Sequence, residues 1–295
     1  MATPAQWLHG ARPRTLPAAI SPVIAGAGVA AWAGAFSWWR SLLCLVVSLA
    51  LQIGCNYAND YSDGIRGTDD VRVGPLRLTG SGAARPAAVK AAAFACFGVA
   101  ALAGLALAAA TAWWLVVIGI LCVLAAWYYT GGKRPYGYAG LGEVMVFVFF
   151  GLVAVIGTVY VQTQDWRWGA LWAGVGVGAL TCALLVANNL RDIPTDAEAG
   201  KNTLAVRLGD ATTRRLYVVL VVVAVAAVIG VAATTSWLAL IGLLFLAVAA
   251  QGMRTVATAG NVGPALIPAL QQTGLADLAW AICVGVPLFV SARLA

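Results

Sequence analysis

Asn56-Tyr57-Ala58-Asn59-Asp60-Tyr61-Ser62-Asp63 closes an apolar run that begins near Ser41. Asn56, Asn59, Asp60 and Asp63 fall at i, i+3, i+4 and i+7, so a helix puts them on one face. An apolar helix carries such a stripe only if something compensates it, because unpaired carboxylates away from water are strongly disfavoured. The stripe therefore asks for a cation. A second stripe, Asn188, Asp192 and Asp196, recurs at i, i+4 and i+8 where another apolar run ends. Asn59 and Asn188 are 129 residues apart (188 minus 59), as are Asp63 and Asp192 (192 minus 63). The common offset points to two pseudo-repeated halves that share one metal-filled site.

The chain around these stripes is built for lipid. Of its 295 residues, 62% are hydrophobic and 10% are charged, and the mean hydropathy is +0.88. A soluble domain has about 25% charged residues. The expected fold is all-α and integral to a membrane, a single transmembrane domain over residues 1–295 around a central cavity. Nine spans are expected, at residues 16–34, 41–61, 87–110, 113–130, 141–161, 169–190, 216–234, 237–253 and 276–293. The longest polar segments follow the second and sixth spans and carry the two stripes. No cleavable leader is evident, since Arg12 and Arg14 precede a run long enough to span.

With nine spans, 15 of the 18 Lys and Arg residues fall on the side of the N-terminus, leaving Arg40, Arg167 and Arg293 opposite. That bias predicts a cytoplasmic N-terminus, an external C-terminus and stripes that open to the cytoplasm. The net charge of +7 follows from this bias together with an anionic substrate, and needs no nucleic acid. The six cysteines all lie in apolar runs, without a Cys-x-x-Cys pair, and read as small buried hydrophobes. His9 reads as a surface residue, and Asp165 and Asp277 as interfacial ones. Glu143 reads equally as a helix cap and as a functional group.

Carboxylate and amide oxygens are hard ligands that suit Mg²⁺, which is commonly shared with substrate phosphates. Neither stripe contains His or Cys, which argues against zinc. Arg66, Arg77 and Lys201 stand beside the stripes as donors to phosphate oxygens. The combination reads as a diphosphate held by two Mg²⁺ ions between the stripes. Pro194, between Asp192 and Asp196, is expected to break or kink the second stripe. A secondary transporter also fits repeated halves and intramembrane polar groups. Against it, the carboxylates cluster at one end of their helices, not at mid-span.

Asn59-xxx-Asp63 with Asp69 and Asp70, and Asp192-xxx-Asp196, resemble the two Asp-rich motifs of the UbiA superfamily of intramembrane aromatic prenyltransferases. The usual first motif there ends on an acid where this chain has Gly67, with Asp69 two residues on. That departure resembles the 1,4-dihydroxy-2-naphthoate polyprenyltransferase branch of menaquinone biosynthesis. So do Ala11-Arg12-Pro13-Arg14-Thr15-Leu16-Pro17, Gly74-Pro75-Leu76-Arg77, Tyr129-Thr130-Gly131-Gly132, Gly140-Leu141-Gly142-Glu143 and Gly200-Lys201-Asn202-Thr203. The resemblance implies transfer of a polyprenyl group from its diphosphate to 1,4-dihydroxy-2-naphthoate, with loss of diphosphate and CO₂, in a prokaryotic cell membrane. A 4-hydroxybenzoate acceptor is the near alternative. It implies Asn59, Asp63, Asn188, Asp192 and Asp196 as metal ligands, assisted by Asp69, with Arg66, Arg77 and Lys201 on the diphosphate. Tyr57, Tyr61, Tyr128 and Tyr129 would face an allylic cation, and Lys133 and Arg134 would hold the acceptor carboxylate. Gly98, Gly104, Gly174, Gly176 and Gly178 would let helices close around the tail.

Overall fold

The computed structural model describes residues 2–67 and 77–294, and among these there is no strand. Ten helices follow one another: α1 Pro4–Ala11, α2 Pro17–Trp32, α3 Trp38–Arg66, α4 Pro86–Ala110 and α5 Leu115–Tyr128, then α6 Gly142–Thr163, α7 Trp168–Glu198 and α8 Leu204–Thr234, then α9 Trp237–Ala257 and α10 Gly263–Leu294. Local chemistry sets several of these boundaries. Thr3 and Gln6 form a capping box at the start of α1. Proline occupies the first turn of α2 and of α4, where no amide donor is required. Gly67 ends α3 in the left-handed conformation that a side chain resists.

Every expected span contains a helix. Seven helices are long and apolar enough to cross a membrane, and the pair Pro4–Thr15 and Pro17–Trp32, bent by 50°, makes eight if taken as one span. The remaining apolar helix, α5, has 14 residues, short of the roughly 20 that a perpendicular crossing needs. Nine crossings is therefore the expectation from sequence, and seven or eight is what length and composition support alone. Exposed tryptophans mark one end of the bundle: Trp38 and Trp39 open α3, Trp113 and Trp114 precede α5, Trp166 precedes and Trp168 opens α7, and Trp237 opens α9. Indoles favour the boundary between lipid and water. The acidic stripes lie at the opposite ends of α3 and α7.

The two stripe-bearing helices each pack most extensively on the helix that follows them. The most extensive helix contacts pair α7 with α8 and α3 with α4, the corresponding neighbours. Close approach depends on small residues at a few points. A Cβ on Gly151 would lie 2.5 Å from the Cα of Gly178 and 2.6 Å from the Gly174 carbonyl oxygen, so α6 and α7 touch backbone to backbone. There α6 widens into a π-helical turn, Phe147–Val153. Gly176 is held against Trp280. Gly98 and Gly104 do not pack in this way, since a Cβ on either would meet nothing within 4 Å.

Three further expectations are corrected. Pro194 does not break α7, which runs on to Glu198. Pro194 is exposed and lies in the last turns. The eighth helix begins at Leu204, well before residue 216, and bends at Gly209, whose φ is 72° and ψ 172°. Asp277 is not interfacial. It is fully buried in α10, because that helix begins more than ten residues earlier than its apolar run suggested.

Candidate active site

Of the first stripe, Asp60 serves the wall alone, while Asn56, Asn59 and Asp63 border a cavity. Asn56 Nδ2 donates to the Ala11 carbonyl at 2.9 Å and to Thr15 Oγ1 at 3.1 Å, fixing the turn between α1 and α2. Asp60 accepts from the amides of Leu78 at 2.7 Å and Thr79 at 2.8 Å, anchoring the chain where it approaches α4. Both satisfy backbone groups that would otherwise be buried unpaired. Asn59 and Asp63, four residues apart on α3, line a cavity of about 710 Å³. Asn188, Asp192 and Asp196 of α7 line the same cavity. The unbroken course of α7 through Pro194 keeps these three in i, i+4 register.

Lys201 links the halves. Gly200, with φ 70°, reverses the chain after α7, and the Lys201 amide donates to the Asp196 carbonyl at 2.8 Å. The Lys201 ammonium then reaches Asp63 Oδ2 on α3 at 3.4 Å, and Arg77 Nη2 approaches the same oxygen at 3.7 Å. The Tyr138 hydroxyl donates to Asp63 Oδ1 at 2.5 Å, and its ring lies 4.9 Å from the Lys201 ammonium. Asp192 accepts both Arg191 Nε at 2.7 Å and Nη2 at 2.6 Å, while that Nη2 also donates to Asn188 Oδ1 at 2.9 Å. One guanidinium thus sets the orientation of two α7 side chains.

The other predicted residues take varied positions. Arg66 donates to the carbonyls of Thr130 and Gly132 and so holds the loop that carries Tyr138. Tyr129 lines the cavity. Tyr57 donates to the Trp7 carbonyl at 3.0 Å, and Tyr61 stacks on Trp127; both belong to the packing of α3 against its neighbours. Lys133, Arg134 and Tyr128 are exposed and do not line the cavity. Asp69 and Asp70 lie outside the described residues. Burial pushes the Tyr136 phenol far up, so it stays neutral and donates to the Ala125 carbonyl at 2.7 Å.

Arg12, Arg191 and Tyr138 were not selected from the sequence as site residues. Arg12 lines the cavity from a left-handed backbone conformation, φ 55°, uncommon for a residue with a side chain. Its signal was present in Ala11-Arg12-Pro13-Arg14, which gave the resemblance but no role. Arg191 adjoins Asp192 and was counted only as a topological charge. Tyr138 had no signal beyond its place in the loop before α6.

Away from the stripes the cavity is apolar and deep. Phe149, Phe150 and Val153 line it from the π-helical turn of α6, and Leu105, Leu115 and Val116 line it near the tryptophan-rich end. The site therefore joins a charged head to a long greasy shaft. Its oxygen-only donors fit a hard divalent ion. Among the described residues no three His, Cys, Asp or Glu side chains converge as a metal cage. Mg²⁺ keeps several waters and is commonly held by one or two carboxylates plus substrate phosphates.

The chain is similar to several known proteins. A 1,4-dihydroxy-2-naphthoate octaprenyltransferase of Mycobacterium tuberculosis is 56% identical over 284 residues, covering 96% of this chain and 97% of its own. The Escherichia coli protein of that name is 41% identical over 218 residues, covering 72% and 71%. A solved UbiA homolog from Archaeoglobus fulgidus, bound to GPP and Mg²⁺, superposes with a TM-score of 0.69 at 14% identity, covering 97% of this chain and 99% of that one. Residues 19–261 match the UbiA prenyltransferase family, and the chain belongs to that family.

Proposed function

We propose that this protein transfers a polyprenyl group from polyprenyl diphosphate to 1,4-dihydroxy-2-naphthoate, releasing diphosphate and CO₂ and forming demethylmenaquinol, the reduced form of demethylmenaquinone. The observation that carries this reading is the near full-length likeness, at 56% identity, to a protein named for that reaction. The cavity supports it independently, because a charged head and an apolar shaft match the two ends of a prenyl diphosphate.

Asn59, Asp63, Asn188, Asp192 and Asp196 would hold Mg²⁺, in two ions, with Asp69 assisting. When bound, the metal supplies Lewis-acid neutralisation of the departing diphosphate. The chain supplies the rest. Lys201, Arg77 and Arg12 present cationic donors to the diphosphate and to the acceptor carboxylate. Tyr138 and Arg191 hold Asp63 and Asp192 in fixed orientations. The C–O bond breaks with its electron pair leaving on diphosphate, and the electron-rich ring captures the allylic carbon. The apolar shaft keeps water from that carbon, and Tyr129 offers it a π-face. Arg12, within the cavity, replaces the exposed Lys133 and Arg134 as the natural partner for the acceptor carboxylate.

The protein acts in the cell membrane of a prokaryote, with its N-terminus and both stripes on the cytoplasmic side. A membrane assay with labelled polyprenyl diphosphate and a panel of acceptors, with and without Mg²⁺, tests the reading. Label should pass to 1,4-dihydroxy-2-naphthoate and require the ion. Transfer only to 4-hydroxybenzoate would place the chain in another branch, and uptake into sealed vesicles without covalent change would mean a transporter.

A further inference from the structure

One polar group beside the cavity has no part in the chemistry above. Glu143, in the first turn of α6, is 7% exposed. Its Oε1 accepts from Asn189 Nδ2 on α7 at 3.0 Å, and its Oε2 is buried without a hydrogen-bond partner among the described residues. Asn189 itself lines the cavity, next in sequence to Asn188 of the second stripe. Thr181, further along α7, also lines the cavity with its hydroxyl buried and unpartnered. The Tyr129 hydroxyl borders the same turn of α6, 3.5 Å from where a Cβ on Gly142 would sit. Buried polar groups facing a cavity without partners indicate a ligand that supplies them.

The amide of Asn189 could be turned either way, and Glu143 decides which. Glu143 Oε1 takes the amide nitrogen, so the oxygen is the end left for a ligand. An oxygen acceptor needs a ligand donor. Neither the ionised diphosphate nor the isoprenoid tail carries one. The ring hydroxyls of a dihydroxyaromatic acceptor do. We propose that Asn189 receives a ring hydroxyl of the acceptor and that Glu143 is the positioning residue that turns Asn189 to do so. The inference rests on the reading of the protein as an aromatic-diol prenyltransferase. It places the ring beside the α7 stripe, where the allylic carbon of a bound diphosphate would lie. It also makes this contact, with Arg12 at the carboxylate, a determinant of acceptor choice.

The test uses the full-length enzyme in detergent with Mg²⁺, polyprenyl diphosphate and two acceptors: 1,4-dihydroxy-2-naphthoate and a naphthoate with one hydroxyl. Asn189→Ala should raise KM for the dihydroxy acceptor by about 10-fold or more, the scale of one lost buried hydrogen bond. KM for the diphosphate should stay within about twofold, and the preference for two hydroxyls over one should shrink. Glu143→Met should share that pattern, and the double variant should be no worse than the worse single variant, because the two act as one unit. Glu143→Gln, which keeps the shape and an acceptor oxygen, should recover most of the preference and covers the case in which Glu143→Met does not fold. Equal changes in both KM values, losses that multiply in the double variant, an unchanged acceptor preference alongside wild-type KM in Asn189→Ala, or a folded Glu143→Gln that loses the preference as fully as Asn189→Ala would overturn the inference. A wild-type enzyme inactive with every dihydroxynaphthoate would instead defeat the underlying reading.

Discussion

Asp63 carries more of the site than any other side chain. It faces the cavity, and Lys201, Arg77 and Tyr138 all approach its carboxylate. Asp63→Ala and Asp192→Ala should each lower kcat by at least about 100-fold, because a developing diphosphate charge would lose a ligand aimed at it. Both variants should still extract from the membrane as folded protein. Activity within tenfold of wild type in either would contradict the assignment. Tyr138 makes a subtler prediction. Its hydroxyl fixes one Asp63 oxygen, while Lys201 and Arg77 approach the other. Tyr138→Phe should raise the Mg²⁺ concentration for half-maximal activity by roughly tenfold, with kcat at saturating Mg²⁺ little changed, as for other residues that orient metal ligands. A titration of activity against Mg²⁺ decides it. An unchanged midpoint would mean that the contact is only packing.

At the scale of the elements, the sequence displayed the two stripes because their spacing is intrinsic to a helix. It did not show that Asp60 turns to the protein wall while Asn56, Asn59 and Asp63 border the cavity. That division depends on which backbone amides and carbonyls need partners, a property of the neighbouring turns. Lys133 and Arg134 looked like substrate donors because they sit beside a matched motif, but the loop swings them into solvent and brings Tyr138 inward. Pro194 misled for the opposite reason. A proline costs about 3 kcal/mol in a helix interior, yet here it lies on the exposed side of the last turns. Pro194→Ala should therefore leave activity within about threefold of wild type and should not lower thermal stability; a large loss would mean that the proline shapes the Asp192–Asp196 register. The α6–α7 crossing is less forgiving. Gly151→Leu would drive a side chain into the backbone at Gly178. It should destabilise by about 1–3 kcal/mol or more, read as a fall of several degrees in the unfolding temperature in detergent.

For the molecule as a whole, the hydrophobic runs and the charge bias exposed the class, the helices and the end at which the polar chemistry sits. Helix length settles only part of the topology, since α5 is short and α1 and α2 are bent. With the proposed cytoplasmic N-terminus, the expected nine crossings would put the C-terminus outside, opposite Arg12 and Lys201. Cysteine labelling near residue 290 from either side of sealed vesicles should therefore find it external. Labelling from the cytoplasmic side alone would mean an even count. The depth of the cavity was not legible, because the lining residues of α4, α5 and α6 look like any lipid-facing apolar residues until the helices are assembled. Once assembled, they form a shaft from the stripes toward the tryptophan-rich end.

The central claim is that this shaft and its two acidic stripes join a prenyl group to a dihydroxynaphthoate ring. The most direct measurement is mass spectrometry of the product made by purified protein given polyprenyl diphosphate, 1,4-dihydroxy-2-naphthoate and Mg²⁺. The account predicts a prenylated naphthoquinol that has lost the carboxylate, formed only when the ion is present. A prenylated product that keeps the carboxylate, or no product with this acceptor while 4-hydroxybenzoate is consumed, would contradict it.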